Sequence, residues 1–190
     1  MGIGLKYKDQ KHTIDEKEKG GVPYLSFPLL EETGIVNQGF STRLGGVSKG
    51  GCASMNISIH RGDDPEAVEE NRRRIAAAIG VDREKMVYTC QTHTTNVALV
   101  TEEDARKSLP ETDGMITETA GAVPCHLLRG LCSPLLCGPG PQGGGAFPLR
   151  MEGDGAQYGG CDCQKDGGGI WKQAGGYPGC GGSFDLPGLL

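Results

Sequence analysis

No run of about 20 apolar residues occurs in this 190-residue chain, so no segment reads as a membrane span. Basic residues are not in excess either. Lys and Arg total 19 against 24 Asp and Glu, a net charge of −5. A basic face for nucleic acid is therefore not indicated. The N-terminal stretch, MGIGLKYKDQKHTIDEKEKG, has no apolar core of the signal-peptide kind. Met1-Gly2 is followed at position 6 by Lys rather than Ser or Thr, so the myristoylation pattern fails. The expected location is cytoplasmic. Without a secreted context, the eight cysteines do not read as a framework of disulfides. Cys161-Asp162-Cys163 can bind a soft metal, but no second CxxC accompanies it.

What is present changes character at Pro124. Residues 125–190 hold 19 of the 33 glycines and six of the eight cysteines, without sustained helical or strand periodicity. The length suffices for one domain with a real core. The expected organisation is a flexible leader over 1–24, an ordered portion over 25–124, and a disordered Gly/Cys-rich tail over 125–190.

Within the ordered portion, Val22 to Leu30 is apolar with two prolines and reads as an edge strand or extended lead-in. Ile35 to Phe40 suggests a further strand. From Phe40 to His60, paired glycines at 45–46 and 50–51 mark tight turns or close backbone approach. The Ser, Thr, Arg and Asn residues between them suit a polar binding loop, or a plain surface loop. A helix follows, with Asp64 as cap, Pro65 at its first position and Gly80 at its end. Val68, Ile75 and Ile79 share one face. Arg72, Arg73 and Arg74 read as a solvated face. Met86 to Thr89 and Val97 to Val100 read as strands flanking Cys90 to Asn96. His93 in that connection is either a metal ligand or a structural histidine. Asp113, in the turn before a strand at Gly114 to Thr117, either orients a ligand or caps the turn.

Three segments occur together in order: Phe40-Ser41-Thr42-Arg43-Leu44-Gly45-Gly46-Val47-Ser48, Gln91-Thr92-His93 and Thr112-Asp113-Gly114-Met115-Ile116-Thr117. Asn56, Gly62 to Pro65 and Glu70-Asn71-Arg72 accompany them. Over about residues 25–124 this resembles the laccase-domain family, also called polyphenol oxidase or multicopper oxidoreductase-like. Many members are purine nucleoside phosphorylases with adenosine deaminase activity. The resemblance implies an α/β fold, a single mixed-sheet domain, with zinc held by His, Cys and His. The first ligand maps to His93, although Thr94 stands where the family has Gly. The Cys of an Ala-Asp-Cys-Val-Pro segment and the His of a His-x-Gly-Trp segment do not occur as written.

Both segments are compatible with the tail read from the second nucleotide of each codon. Codons for Cys125 to Ser133 then allow Val-Thr-Phe-Tyr-Ala-Asp-Cys-Val-Pro. Codons for Cys137 to Glu152, with the first base of Gly153, allow a run ending Ser-His-Ser-Gly-Trp-Lys. The Trp has little freedom: Met151 is only ATG and Glu152 begins with G, so the shifted codon is TGG. The expectation is a one-frame change near Pro124–Cys125.

The resemblance further implies a transferase reaction in which phosphate displaces purine at ribose C1, with a hydrolase side activity at purine C6. Zinc would act as a Lewis acid. Arg43 would contact phosphate through its fork of donors. Ser41, Asn56 and Asp113 would position ribose or water. The implied partners are a purine nucleoside and phosphate, with no nucleic acid and no membrane. With His93 left without two metal partners, impaired turnover is expected. Two other readings remain: a non-catalytic nucleoside- or phosphate-binding fragment, and a copper-dependent phenol oxidase. The last fits poorly with only four histidines, His12, His60, His93 and His126.

Overall fold

Adjacent glycines set the first chain reversal. The computed structural model describes residues 13–92, 94 and 96–127, together with the strands Leu135–Cys137, Gly144–Ala146 and Lys172–Gln173. Strand β1 (Asp15–Lys19) pairs antiparallel with β2 (Val22–Ser26), in the register Lys19↔Val22. Gly20 and Gly21 between them both have positive φ, 61° and 75°, as a two-residue hairpin turn matched to strand twist requires. Residues 15–19 and 22–24 of the expected leader are therefore strand. The charges of β1 suit an edge, where alternate side chains meet water.

Strand β2 is central, because β3 (Phe40–Ser41) pairs along its other side. The edge expected from Pro23 is not observed. The β3 ladder reaches only Tyr24 and Leu25, so no bond from that side is asked of the proline nitrogen. The predicted strand at 35–40 shrinks to Phe40–Ser41. Residues 28–31 form a one-turn helix, α1 (Pro28–Glu31), and the chain from 35 to 39 is irregular.

Helix α2 (Pro65–Ile79) forms where its caps place it. Asp64 Oδ1 accepts from Glu66 N at 3.0 Å, and Gly80, at φ 84°, donates to Ala76 O at 2.9 Å. These bonds satisfy backbone groups that a helix end leaves orphaned. Ile75 and Ala78 join Val22 and Met55 in a core flanked by Tyr24, Ile57 and Ile79.

Among the described residues, contacts divide the chain into two compact units, one up to Arg83 and one from Glu84 onward. In the second unit, β4 (Met86–Thr89) runs parallel to both β6 (Ser108–Leu109) and β8 (Val123–Cys125). All four β4 residues are buried, as expected of a central parallel strand. Strand β8 continues through Pro124, which stands at the sheet edge opposite Val87.

The neighbouring sheet has the order β11-β9-β10-β7-β5. Strands β5 (Val97–Val100) and β7 (Gly114–Thr117) are parallel, with Val97 opposite Gly114. Antiparallel strands β10 (Gly144–Ala146), β9 (Leu135–Cys137) and β11 (Lys172–Gln173) complete the order. Val87, Val100 and Met115 form the unit's fully buried cluster, against Leu109 and Ala122. Of the stretch after Pro124, the expected Cys161-Asp162-Cys163 pair and most of the tail lie outside the described residues.

Candidate functional site

Two polar constructions carry the residues singled out from the sequence, one in each unit. The first is the loop from Arg43 to Asn56. Gly45 has φ 83°, and a side chain there would meet Gly21 O at 2.7 Å. A Cβ on Gly46 would overlap the Ser54 carbonyl and lie 2.6 Å from Met55 Cα. The Gly45-Gly46 pair is thus required by close backbone approach, whereas Gly51 faces open space.

Arg43 is exposed, and its Nε donates to Ala53 O at 2.9 Å. The carbonyl of Arg43 accepts from Ser54 N (3.2 Å), Met55 N (3.1 Å) and Ser54 Oγ (2.9 Å). Both ends of this residue therefore hold the strip 53–55. Asn71 of α2 reaches the same strip and is fully buried. Its Oδ1 accepts from Val47 N at 2.8 Å. Its Nδ2 donates to Asn56 O (2.7 Å), Ser48 Oγ (2.8 Å) and Ser54 O (3.1 Å).

Ser48 Oγ donates in turn to Asp63 Oδ2 at 2.6 Å, and Asn56 Nδ2 donates to the same oxygen at 2.8 Å. Asn71, Ser48, Asp63 and Asn56 so form a closed ring. The Ser48 hydroxyl and, next, the Asn56 amide hold the Asp63 carboxyl below its ordinary value of 3.8. The Asn56 side chain also donates to Ser58 O, so its polar atoms serve the loop itself.

The arginine run is a correction to the sequence reading. Arg72 Nε donates to Ile57 O at 3.0 Å, and Arg74 Nη1 donates to Gly45 O at 3.2 Å, and both residues are half-buried. Arg73 alone of the three is exposed, and it pairs with Glu70. Helix α2 thus clamps loop carbonyls through residues 71, 72 and 74, because its polar flank faces backbone groups rather than water.

The second construction is the connection after β4. Asp113 is 2% exposed. Its carboxylate accepts from Thr92 N at 3.1 Å, Thr94 N at 3.0 Å and Thr94 Oγ1 at 2.7 Å, with a longer bond from Thr92 Oγ1. Asn96 O closes the turn from the other side, accepting from Asp113 N and Gly114 N, both at 3.0 Å. These bonds make Asp113 a cap of the turn. His93, between the two clasped threonines, lies outside the described residues. Gln91 Nε2 is 3.1 Å from Nδ1 of His126, and both residues are half-buried.

Arg43 and Asn56 are thus brought into one network within the first unit, and Asp113 belongs to the second. Sequence reading missed Asn71 as an organiser. Its signal was an amide on the stripe defined by Val68 and Ile75, where an apolar residue would otherwise stand. Among the described residues, no group of three or more His, Cys, Asp or Glu side chains is arranged to hold a metal ion. The described side chains do not make up the three-ligand set of a catalytic zinc.

The fold is a mixed α/β arrangement shared with known structures. YlmD from Geobacillus stearothermophilus superimposes with a TM-score of 0.61 at 26% identity, over 71% of this chain and 52% of that one. A Bacillus licheniformis protein, YfiH, shares the fold at a TM-score of 0.63 and 23% identity, over 70% of this chain and 51% of that one. The chain belongs to the multi-copper polyphenol oxidoreductase laccase family, whose pattern it matches over residues 37–140. The match runs past Pro124, so the resemblance does not stop where composition changes.

Similar curated relatives include a purine nucleoside phosphorylase of Corynebacterium glutamicum, 39% identical over 102 residues, 53% of this chain and 41% of the relative. The purine nucleoside phosphorylase YlmD of Geobacillus stearothermophilus is 36% identical over 92 residues, 45% of this chain and 34% of the relative. These matches span less than half of each relative's length. No described helix is long and apolar enough to cross a membrane.

Proposed function

We propose that this chain carries the phosphate-side elements of a purine nucleoside phosphorylase, and that its own turnover is impaired. The observation that carries the reading is the Arg43 loop. It presents an exposed guanidinium on a backbone pinned at Gly46, Val47, Ser48 and Ser54. The names of the relatives support the substrate class.

In phosphorolysis a phosphate oxygen forms the new bond to ribose C1 as the bond from C1 to the purine nitrogen breaks. The leaving nitrogen takes up a proton. Positive charge grows on the sugar, so a phosphate held close and correctly oriented lowers the barrier. Arg43 supplies forked donors to that phosphate. Asp113 clasps Thr92 and Thr94, the sequence neighbours of His93, the position where the family resemblance places one ligand of a zinc ion. Zinc, when bound, would supply Lewis-acid chemistry, with adenosine deamination as the side reaction and copper as the alternative metal.

Impairment follows from the missing Ala-Asp-Cys-Val-Pro and His-x-Gly-Trp segments, which a single shifted reading frame after Pro124 would restore. The alternative reading is a non-catalytic nucleoside- or phosphate-binding fragment of the same scaffold. The proposed location is the cytoplasm.

The test is phosphate-dependent cleavage of inosine by the full chain, beside the Corynebacterium glutamicum relative. Zinc content and phenol oxidation are measured on the same preparations. Expected are much weaker phosphorolysis than the relative's, substoichiometric zinc and no phenol oxidation. Stoichiometric zinc with turnover equal to the relative's would sink the impairment. Copper-dependent phenol oxidation would replace the phosphorylase reading. The coding nucleotide sequence decides the frame: an unshifted tail in independent isolates counts against an error.

A further inference from the structure

We propose that Asn71 is a positioning residue for phosphate, holding the 43–56 loop in the one shape that keeps the Arg43 guanidinium at an anion site. The inference rests on the phosphorylase reading of that loop and adds to it the residue that sets its geometry.

An asparagine is not expected on the buried stripe of a helix. Position 71 lies on the buried stripe of α2 between Val68 and Ile75. A leucine or isoleucine there would extend the apolar core, whereas a buried amide costs free energy unless its atoms are bonded. Asn71 is bonded at both polar atoms, and every partner belongs to the loop: Val47 N, Ser48 Oγ, Ser54 O and Asn56 O. None belongs to the helix. The side chain therefore specifies loop shape rather than helix stability.

That shape passes to Arg43 by two short routes. Ser54, whose carbonyl Asn71 holds, donates through N and Oγ to the Arg43 carbonyl. Ala53, one residue earlier, accepts the Arg43 Nε. Moving residues 53–54 would displace the Arg43 backbone and guanidinium together. The Ser48–Asp63–Asn56 bridge closes the ring, so the loop has few ways to relax when Asn71 is intact. Preorganisation of this kind lowers the ordering cost when an anion binds.

The full-length chain is treated with an arginine-directed dicarbonyl reagent, with inorganic phosphate or with chloride at equal ionic strength. Modification of Arg43 is read by peptide mass spectrometry against Arg73 as the internal reference. At phosphate about ten times its Kd, Arg43 modification should slow about tenfold, following the bound fraction. Asn71→Ala should reduce that protection to under about twofold at the same phosphate concentration, as expected once Kd rises well above it. Ser48→Ala, a smaller change in the same ring, should also weaken protection if Asn71→Ala does not fold. Val68→Ala trims a buried apolar side chain of the same helix that is not in the hydrogen-bonded ring; it should lower the melting temperature and keep full protection.

Full protection in both ring variants overturns the role of Asn71 and leaves the phosphate assignment standing. Loss of protection in Val68→Ala as well overturns it, because simple destabilisation then explains the effect. No protection in the unaltered chain removes the anion site at Arg43, and the phosphorylase reading of the loop with it.

Discussion

Asp113 and Thr94 are joined twice: the Asp113 carboxylate accepts both the backbone N–H and the hydroxyl of Thr94, at 3.0 and 2.7 Å. The same carboxylate takes the backbone N–H of Thr92. One buried carboxylate thus brackets position 93 from both sides, and a hydrogen bond to a charged acceptor is stronger than a neutral one. Thr94 stands where the family has Gly, and its hydroxyl adds a bond that a glycine has no group to make.

Asp113→Asn should loosen this turn. The amide keeps one acceptor and turns a donor toward N–H and O–H groups that are themselves donors. A loss of about 2–3 kcal/mol in stability is expected for bonds of this charged, buried kind. Amide exchange at Thr92 and Thr94 should accelerate more than at residues of β4. Unchanged exchange at those two amides would show that the carboxylate does not clasp the turn in solution.

The loop glycines separate by sign. Gly46→Ala should destabilise the first unit by about 1–3 kcal/mol, because the added methyl meets the Ser54 backbone and strains a packed loop. Gly51→Ala meets nothing within 4 Å and has no positive φ, so it should be neutral or stabilising by up to about 1 kcal/mol through the unfolded chain. Denaturant melts of the two variants side by side decide the contrast.

Asp63 gives the loop a pH dependence. Hydrogen bonds from Ser48 and Asn56 place its folded pKa below the unfolded value, so the folded state binds its proton more weakly. The stabilisation is fully present above the unfolded value, near 3.8, and is lost as pH falls through the folded one. Asp63→Asn should therefore melt lower than the parent chain at neutral pH, and the gap should close on acidification below about pH 4. A gap that stays constant with pH would place the effect in packing rather than charge.

Strand β5 offers an edge. Among the described residues no strand pairs along its outer side, and Leu99 is 60% exposed, with Val97 at 38%. Exposed apolar edges template association between chains. Leu99→Lys should lower self-association measured by light scattering while changing stability by no more than about 0.5 kcal/mol. Equal scattering from both proteins would direct attention to another surface.

Local chemistry made α2 legible in advance. Asp64, Pro65 and Gly80 act within one turn of each helix end, so their effect needs no distant partner. Strands β4, β5 and β7 were legible for a similar reason, as short apolar runs bounded by turn residues. Strand β1 was not, because Asp15 to Lys19 has no apolar face and becomes a strand only by pairing with β2. Strand β8 crosses the compositional break at Pro124 for the same kind of reason: its partner is β4, far away in sequence.

Sequence by itself determined the family, the caps of α2 and the candidates Arg43, Asn56, His93 and Asp113, since each depends on residue type and spacing. Tertiary structure decided which groups three of those residues bond. Asn56 was committed to Asp63, Asp113 was turned onto the amides flanking His93, and Arg43 was tied to a strip that Asn71 also holds. The physical reason is that a hydrogen bond depends on the position of its partner. Those partners lie between 7 and 21 residues away along the chain, beyond the reach of local pattern.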